Sequence, residues 1–322
     1  MTSEKKYEGR VIKSQSGFFD VSPLSPLSPK GEKARMGVGA EIISCQLRGR
    51  LKQGGRKGDL LAVGDRVRIS ILSEGTGMIE EILPRERAIV RMDPRPRGVY
   101  RQILLANPDQ ALFVFSCANP RPRMRMLDRF LVIAEKQNIP AIIVANKVDL
   151  VGQEEAEKLF GHYKKIGYPI IYTSAQDKIG IEDLRYALQG KLSALAGPSG
   201  VGKSSLMNTM QDGLGLAVNE ISEALDRGKH TTNFRQLLPL EGGGYVADTP
   251  GWKSLALWDT QPEELDGYFP EIAPLVAQCR FSDCSHVHEP GCAVLKAVNS
   301  GELHNERFNS FIRMRDGLAN KR

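Results

Sequence analysis

The chain has 322 residues, enough for two or three domains, and its five cysteines, three of them between positions 279 and 292, argue against a disulfide scaffold and for a reduced compartment. The net charge of +6 is concentrated: residues 1–100 carry 19 Lys and Arg against 12 Asp and Glu, a surplus of 7, so the rest of the chain sums to −1. A basic surplus in one region points to a polyanionic partner, while the absence of a membrane-length apolar run or an apolar signal segment predicts a cytoplasmic protein with no membrane partner.

From Glu8 to Arg91 the pattern is one of short strands and turns. Val11-Ile12, Gly17 to Val21, Ala40 to Leu47, Asp65 to Ile69 and Met78 to Ile82 are the strand candidates, several of them alternating apolar with polar. That many short strands in so little chain suits a small barrel such as the OB-fold, a frequent oligonucleotide binder. Arg48, Arg50, Lys52, Arg56 and Lys57 are expected along one loop and face. Aromatic residues for base stacking are limited to Phe18 and Phe19, which favours phosphate and shape recognition over base reading. Ser22 to Lys30 places a proline at every third position (Pro23, Pro26, Pro29), which excludes helix and central strand. It reads as an extended, mobile loop.

Arg91 to Arg101, with Pro94 and Pro96, reads as a linker. Strands and helices then alternate. A strand over Gln110 to Ser116 is followed by a helix over Met126 to Gln137, a strand from Ile139 to Ala145 and a helix over Gln153 to Lys165. A strand over Tyr168 to Tyr172, a helix over Ile181 to Leu188 and a strand over Leu192 to Ala196 complete the series. The alternation predicts a parallel sheet covered on both faces.

Chemistry sits at the ends of these strands. Ala145-Asn146-Lys147-Val148-Asp149 fits a guanine-reading loop. A carboxylate at Asp149 can accept from both the N1–H and the exocyclic amine of guanine, a donor pair that adenine lacks. Asn146 would brace the loop, the Lys147 stem would lie along the base, and Ser174 and Ala175 belong to a supporting loop. Gly197 to Ser204 fits G-x-x-x-x-G-K-[ST] without departure, between an apolar strand and a helix. Gly197, Ser199, Gly200, Val201, Gly202, Lys203, Ser204 and Ser205 are the expected phosphate contacts, with the Lys203 charge on the β- and γ-phosphates and the Ser204 hydroxyl on Mg²⁺.

Asp248-Thr249-Pro250-Gly251 follows a strand end. Asp248 could hold Mg²⁺ and the Gly251 N–H could sense the γ-phosphate. Between these motifs, Gly228 to Thr232 falls where a first switch belongs, and one of Thr231 and Thr232 could cap Mg²⁺ and the γ-phosphate. Trp252 occupies the place of the usual water-orienting Gln, so His230 is the candidate for positioning the hydrolytic water. An ordinary nucleotide switch begins with the phosphate loop and ends with the guanine loop. Here the order is rotated, as in a circularly permuted GTPase.

Cys279, Cys284, His286 and Cys292 form a C-x4-C-x-H-x5-C set, the composition of a closed structural Zn²⁺ site with no open position for catalysis. His288 is a less favoured rival for the imidazole ligand. Cys45 and Cys117 read as small core residues. Phe308, Phe311, Ile312 and Met314 would form the apolar stripe of a last helix.

Taken together, these motifs resemble the RsgA family. The resemblance covers nearly the whole chain. It implies residues 1–95 as an OB-fold RNA-binding β-barrel, 96–262 as an α/β circularly permuted P-loop GTPase and 263–322 as a mostly helical zinc-knuckle domain. It further implies a monomeric late-assembly GTPase that binds the small (30S) ribosomal subunit and its rRNA, with stimulated hydrolysis of GTP to GDP, Mg²⁺ at the nucleotide and one structural Zn²⁺. An RNA-binding scaffold using GTP only for occupancy, or a GTPase on another RNA, are the alternatives. Gly200 stands where potassium-stimulated GTPases often carry an Asn, so potassium dependence does not carry over.

Overall fold

A computed structural model describes residues 6–24, 41–52, 60–92, 101–215, 236–248, 257 and 260–319. Strands β1 (Lys6–Gln15), β2 (Phe18–Pro23), β3 (Ile43–Leu47), β4 (Arg66–Ser73) and β5 (Thr76–Ile82) close into a barrel of order β1-β2-β3-β5-β4. The β3–β5 pair is parallel and the others are antiparallel, which is the expected OB-type arrangement. Alternate residues point inward: Phe19 and Val21, Ile43 and Cys45, Val67 and Ile69 form the barrel core with Val11 and Ile79. Ser16 and Gly17 both take positive φ (50° and 85°) in the tight turn joining β1 to β2.

The proline-rich segment starts later than its sequence suggests. Ser22 and Pro23 still pair with Arg10 and Gly9 at the end of β2, a position where a missing N–H costs little. Residues 25–40, and with them Pro26 and Pro29, lie outside the described residues, as do Arg56 and Lys57. The expected linker also changes character. Arg91 lies in β6 (Ala88–Met92) and Arg101 opens β7 (Arg101–Ala106), and these strands pair antiparallel. Pro94 and Pro96 drew the reading toward a linker, but the apolar strands flanking them close a hairpin.

The central sheet has the order β10-β9-β8-β11-β13-β12. Its strands are β8 (Gln110–Ser116), β9 (Ala141–Asn146), β10 (Ile170–Thr173), β11 (Leu192–Ala196), β12 (Leu238–Pro239) and β13 (Tyr245–Asp248). Five strands run parallel. β12 is antiparallel to β13, because the short turn between them can only send the chain straight back. Both faces are covered. Phe113, Phe115, Ile143 and Ala145 pack under helices α1 (Met124–Lys136) and α2 (Gln153–Ile166). Leu112, Val114 and Val144 point the other way, under α3 (Ile181–Leu188) and α4 (Lys203–Met210). The barrel joins this core through Ile12 and Val63, through Arg10 (3.7 Å from Asp109) and through the Leu237 N–H, which donates to Ile12 O at 2.8 Å.

The C-terminal unit contains a 3₁₀ helix (Pro262–Tyr268), a one-turn helix (Ala273–Val276), α5 (Ala293–Ser300) and α6 (Asn305–Ala319). Phe311 is fully buried in its core, with Phe308, Ile312 and Met314 packed at the margin, as the expected stripe requires. The unit is fastened to the central domain by a buried charged network. Arg307 donates to Asp128 Oδ1 at 2.9 Å and to both Glu271 oxygens at 2.7 and 3.2 Å. Tyr163 OH donates to Asp128 Oδ1 at 2.7 Å, and Ser310 donates to its other oxygen. Val132, one turn beyond Asp128 on α1, joins the C-terminal core.

The same seam holds a stacked imidazole pair. The His162 and His304 rings lie 4.2 Å apart and nearly parallel. Burial, with the neighbouring His304, Arg307 and Lys165, pushes His162 down to about 4. The folded protein therefore resists a proton that the unfolded chain accepts below about 6.5. This contribution to stability is complete above that pH and is lost as pH falls toward 4. The urea midpoint is expected to drop between pH 7 and 5, and His162→Phe, which keeps a ring in the stack, should reduce that drop. An equal drop in the variant would assign the pH dependence to other groups.

Candidate functional site

The loops expected to read guanine and to cradle phosphate, separate in sequence, leave β9 and β11, the two parallel strands that flank β8, at the C-terminal edge of one sheet, where ligands bind in such folds. Asn146 joins them. Its Nδ2 donates to Val201 O at 2.8 Å, and its Oδ1 accepts from Thr173 Oγ1 at 3.0 Å. Asn146, Thr173 and Ser174 are buried, so these bonds are sheltered from competing water. Thr173 belongs to the stretch Tyr172-Thr173-Ser174-Ala175 that the sequence marks as the supporting loop, and the structure adds its bond to Asn146.

Lys147 takes a left-handed φ of 63°. Its Nζ donates to Gly200 O at 2.8 Å and to Asn119 O, so its stem crosses from one loop to the other. Asp149 sits in the single turn Val148–Leu150 just beyond, half-buried. Its charge is felt at Cys117, a buried thiol pushed up to about 11 by burial first and Asp149 second. Cys45 is likewise a core residue, pushed up to about 12 by burial and Asp20. Ser174 closes its own loop, accepting from the Asp177 N–H at 3.1 Å, and Ala175 O accepts from Thr209 on α4.

The phosphate loop links β11 to α4. Glycine is required at two of its positions. A Cβ on Gly197 would lie 2.2 Å from Val114 O, and one on Gly202, at φ +94°, would lie 2.5 Å from Asn146 Nδ2. Gly197 thus lets the chain pass close over β8, and Gly202 lets it approach the other loop. Lys203 Nζ folds back over the loop to Gly197 O and Pro198 O, each at 3.1 Å. Lys203, Ser204 and Ser205 open α4, whose first turn has no acidic residue, leaving the positive end of the helix facing the loop. Asp248 ends β13, next to β11 in the sheet. His230, Thr231, Thr232, Gly251 and Trp252 lie outside the described residues.

Cys279, Cys284, His286 and Cys292 converge, with their ligand atoms all within 4.8 Å of one another. Cys279 Sγ lies 3.9 Å from Cys292 Sγ, and His286 Nδ1 lies 3.6 and 3.4 Å from those sulfurs. Zn–S bonds of about 2.3 Å at tetrahedral angles put sulfurs about 3.8 Å apart, so the set fits a structural metal of that kind. His286 reaches the cluster through a left-handed φ of 61°, and its Nε2 lies 3.6 Å from Asp266 Oδ2, an outer carboxylate of the type that orients metal-binding imidazoles. His288 is exposed and outside the cluster. Glu289 braces the loop by accepting from the amides of Ser285, Val287 and His288.

On the barrel, the expected basic face is partly committed internally. Arg48 pairs with buried Glu80, and Arg50 lies 3.5 Å from the same carboxylate. Burial opposes the Glu80 charge, but Arg48, Ser70 and Arg50 hold its carboxyl below the usual range. Phe18 is exposed while Phe19 is in the core, leaving a single aromatic ring of that pair for stacking.

The RsgA GTPase family model matches residues 82–258. The Small ribosomal subunit biogenesis GTPase RsgA of Gemmatimonas aurantiaca is 45% identical over 283 residues, covering 87% of this chain and 92% of that protein. The protein of the same name from Alkaliphilus metalliredigens is 40% identical over 309 residues, covering 95% and 96%. Among solved structures, YjeQ from Thermotoga maritima superposes with a TM-score of 0.77 at 35% identity over 99% of this chain and all of that one. YloQ, a circularly permuted GTPase, gives 0.75 at 30% identity over 100% and 98%. With the barrel, the joined nucleotide loops and the Cys3His cluster all in one chain, the protein belongs to the RsgA GTPase family.

Proposed function

We propose that this GTPase acts in small ribosomal subunit biogenesis, binding the subunit's RNA and hydrolysing GTP with stimulation from the subunit. The observation that carries the reading is the Asn146–Val201 and Lys147–Gly200 bridging of the two nucleotide loops, in a chain whose relatives bear that name. In this reading Asp149 selects guanine, and the loop from Gly197 to Ser205 cradles the phosphates with Lys203 as their point charge. Ser204 and Asp248 hold Mg²⁺, which neutralises charge on the phosphates. Thr231 or Thr232 closes over the γ-phosphate, and His230 orients the water. The Cys3His cluster takes one structural Zn²⁺ and shapes the C-terminal unit for RNA.

The rotated motif order supplies a coupling. From Asp248 the chain passes through Gly251 toward Leu257 and the C-terminal unit, so a γ-phosphate that orders this stretch biases how that unit meets RNA. Tighter binding to purified small subunits is therefore expected with a non-hydrolysable GTP analogue than with GDP, measured by co-sedimentation at fixed salt. Equal affinities would remove the coupling.

A further inference from the structure

Residues 119–125, running from the loop after β8 into the first turn of α1, carry a concentration of charge that the nucleotide site does not use. Arg121, Arg123 and Arg125 are all exposed, and none makes an ion pair among the described residues. The first turn of α1 contains no acidic residue, so the helix adds its own partial positive charge at the same place. Asp128, the next acid along the helix, is buried and committed to Arg307, Tyr163 and Ser310. Three arginines within five positions therefore have no local counter-charge, in a part of the chain whose net charge is close to zero.

Their mounting is firm. Ser116 Oγ donates to Pro120 O at 2.6 Å, and Lys147 Nζ donates to Asn119 O. Pro120 also faces Gly200, where a Cβ would sit 3.7 Å from its Cδ. The base of this segment is thus part of the nucleotide site's wall, while its arginines project into solvent. Three guanidinium forks, with no lysine among them, suit repeated phosphate oxygens better than they suit scattered carboxylates.

We propose that Arg121, Arg123 and Arg125 form an RNA-backbone contact surface on the GTPase domain, beside the nucleotide and separate from the barrel. This rests on the proposed action on the small subunit. The test compares the full-length chain with the triple variant R121Q/R123Q/R125Q and with its charge-keeping counterpart R121K/R123K/R125K. Affinity for purified small subunits is measured across a KCl series, in the presence of a non-hydrolysable GTP analogue. Each lost phosphate contact lowers the slope of log affinity against log salt by about 0.9. The glutamine variant is expected to bind at least about tenfold more weakly, with a slope smaller by about 2–3. The lysine variant should retain most of the slope, and the affinity of either free variant for the nucleotide should stay within about twofold of the parent. A glutamine variant with the parent's slope would overturn the proposal, as would loss of nucleotide affinity in the free protein, which would assign the arginines to the nucleotide phosphates. Failure of the parent chain itself to bind small subunits would instead remove the ribosomal reading, and this surface with it.

Discussion

Arg307→Ala is expected to destabilise the seam between the GTPase domain and the C-terminal unit by about 3–5 kcal/mol, the usual cost of removing one partner from a buried ion pair. Arg307 is completely buried, and its removal strands Asp128, 1% exposed, beside Glu271. Burial alone would lower the Arg307 pKa, but Asp128 and Glu271 overcome it and hold the guanidinium above its ordinary range. The cation also lies over the Phe269 ring, 4.6 Å from its centroid, so the truncation loses packing as well as charge. For a unit of about 200 residues this corresponds to a fall in Tm of about 6–20 °C by scanning calorimetry. A fall of less than about 2 °C would mean that the seam is held by its apolar contacts alone. Arg307→Ala with Asp128→Asn should cost less than the two single changes combined, because the second change removes the stranded charge.

Asp149→Asn is expected to weaken GTP binding by about 10²- to 10⁴-fold while raising affinity for xanthosine triphosphate. The carboxylate offers two acceptors to two guanine donors. An amide at this position replaces one acceptor with N–H, which faces a donor in guanine but a carbonyl in xanthine. Binding would be followed by displacement of a fluorescent nucleotide. The loops' own bridges, Asn146 to Val201 and Lys147 to Gly200, do not involve Asp149, so the fold of the site should be unaltered. Unchanged GTP affinity would show that the base is read elsewhere.

The nucleotide loops and the Cys3His cluster were legible because their chemistry demands fixed residue types at short spacing. Gly202 illustrates this: the motif requires glycine, and the structure gives the reason in its approach to Asn146 Nδ2. The barrel strands were legible by alternation, as in Val67 and Ile69. The charged seam was not. Arg307 and Asp128 are 179 positions apart, and each lies on an amphipathic helix, where a charge ordinarily marks a solvated face. Arg48 misled in the opposite direction, since a basic residue expected to face a ligand is partly engaged by Glu80, 32 positions away. The β6–β7 hairpin was hidden by the prolines between its strands, and the antiparallel β12 by its length of two residues.

The proposed function requires GTP turnover that responds to the small ribosomal subunit. GTP hydrolysis should be measured on the zinc-loaded full chain, alone and with purified small subunits, with ATP and large subunits as controls. Slow hydrolysis of GTP alone, strong acceleration by small subunits only, and no hydrolysis of ATP are expected. A folded, GTP-binding protein whose turnover is unmoved by small subunits would contradict the proposed function.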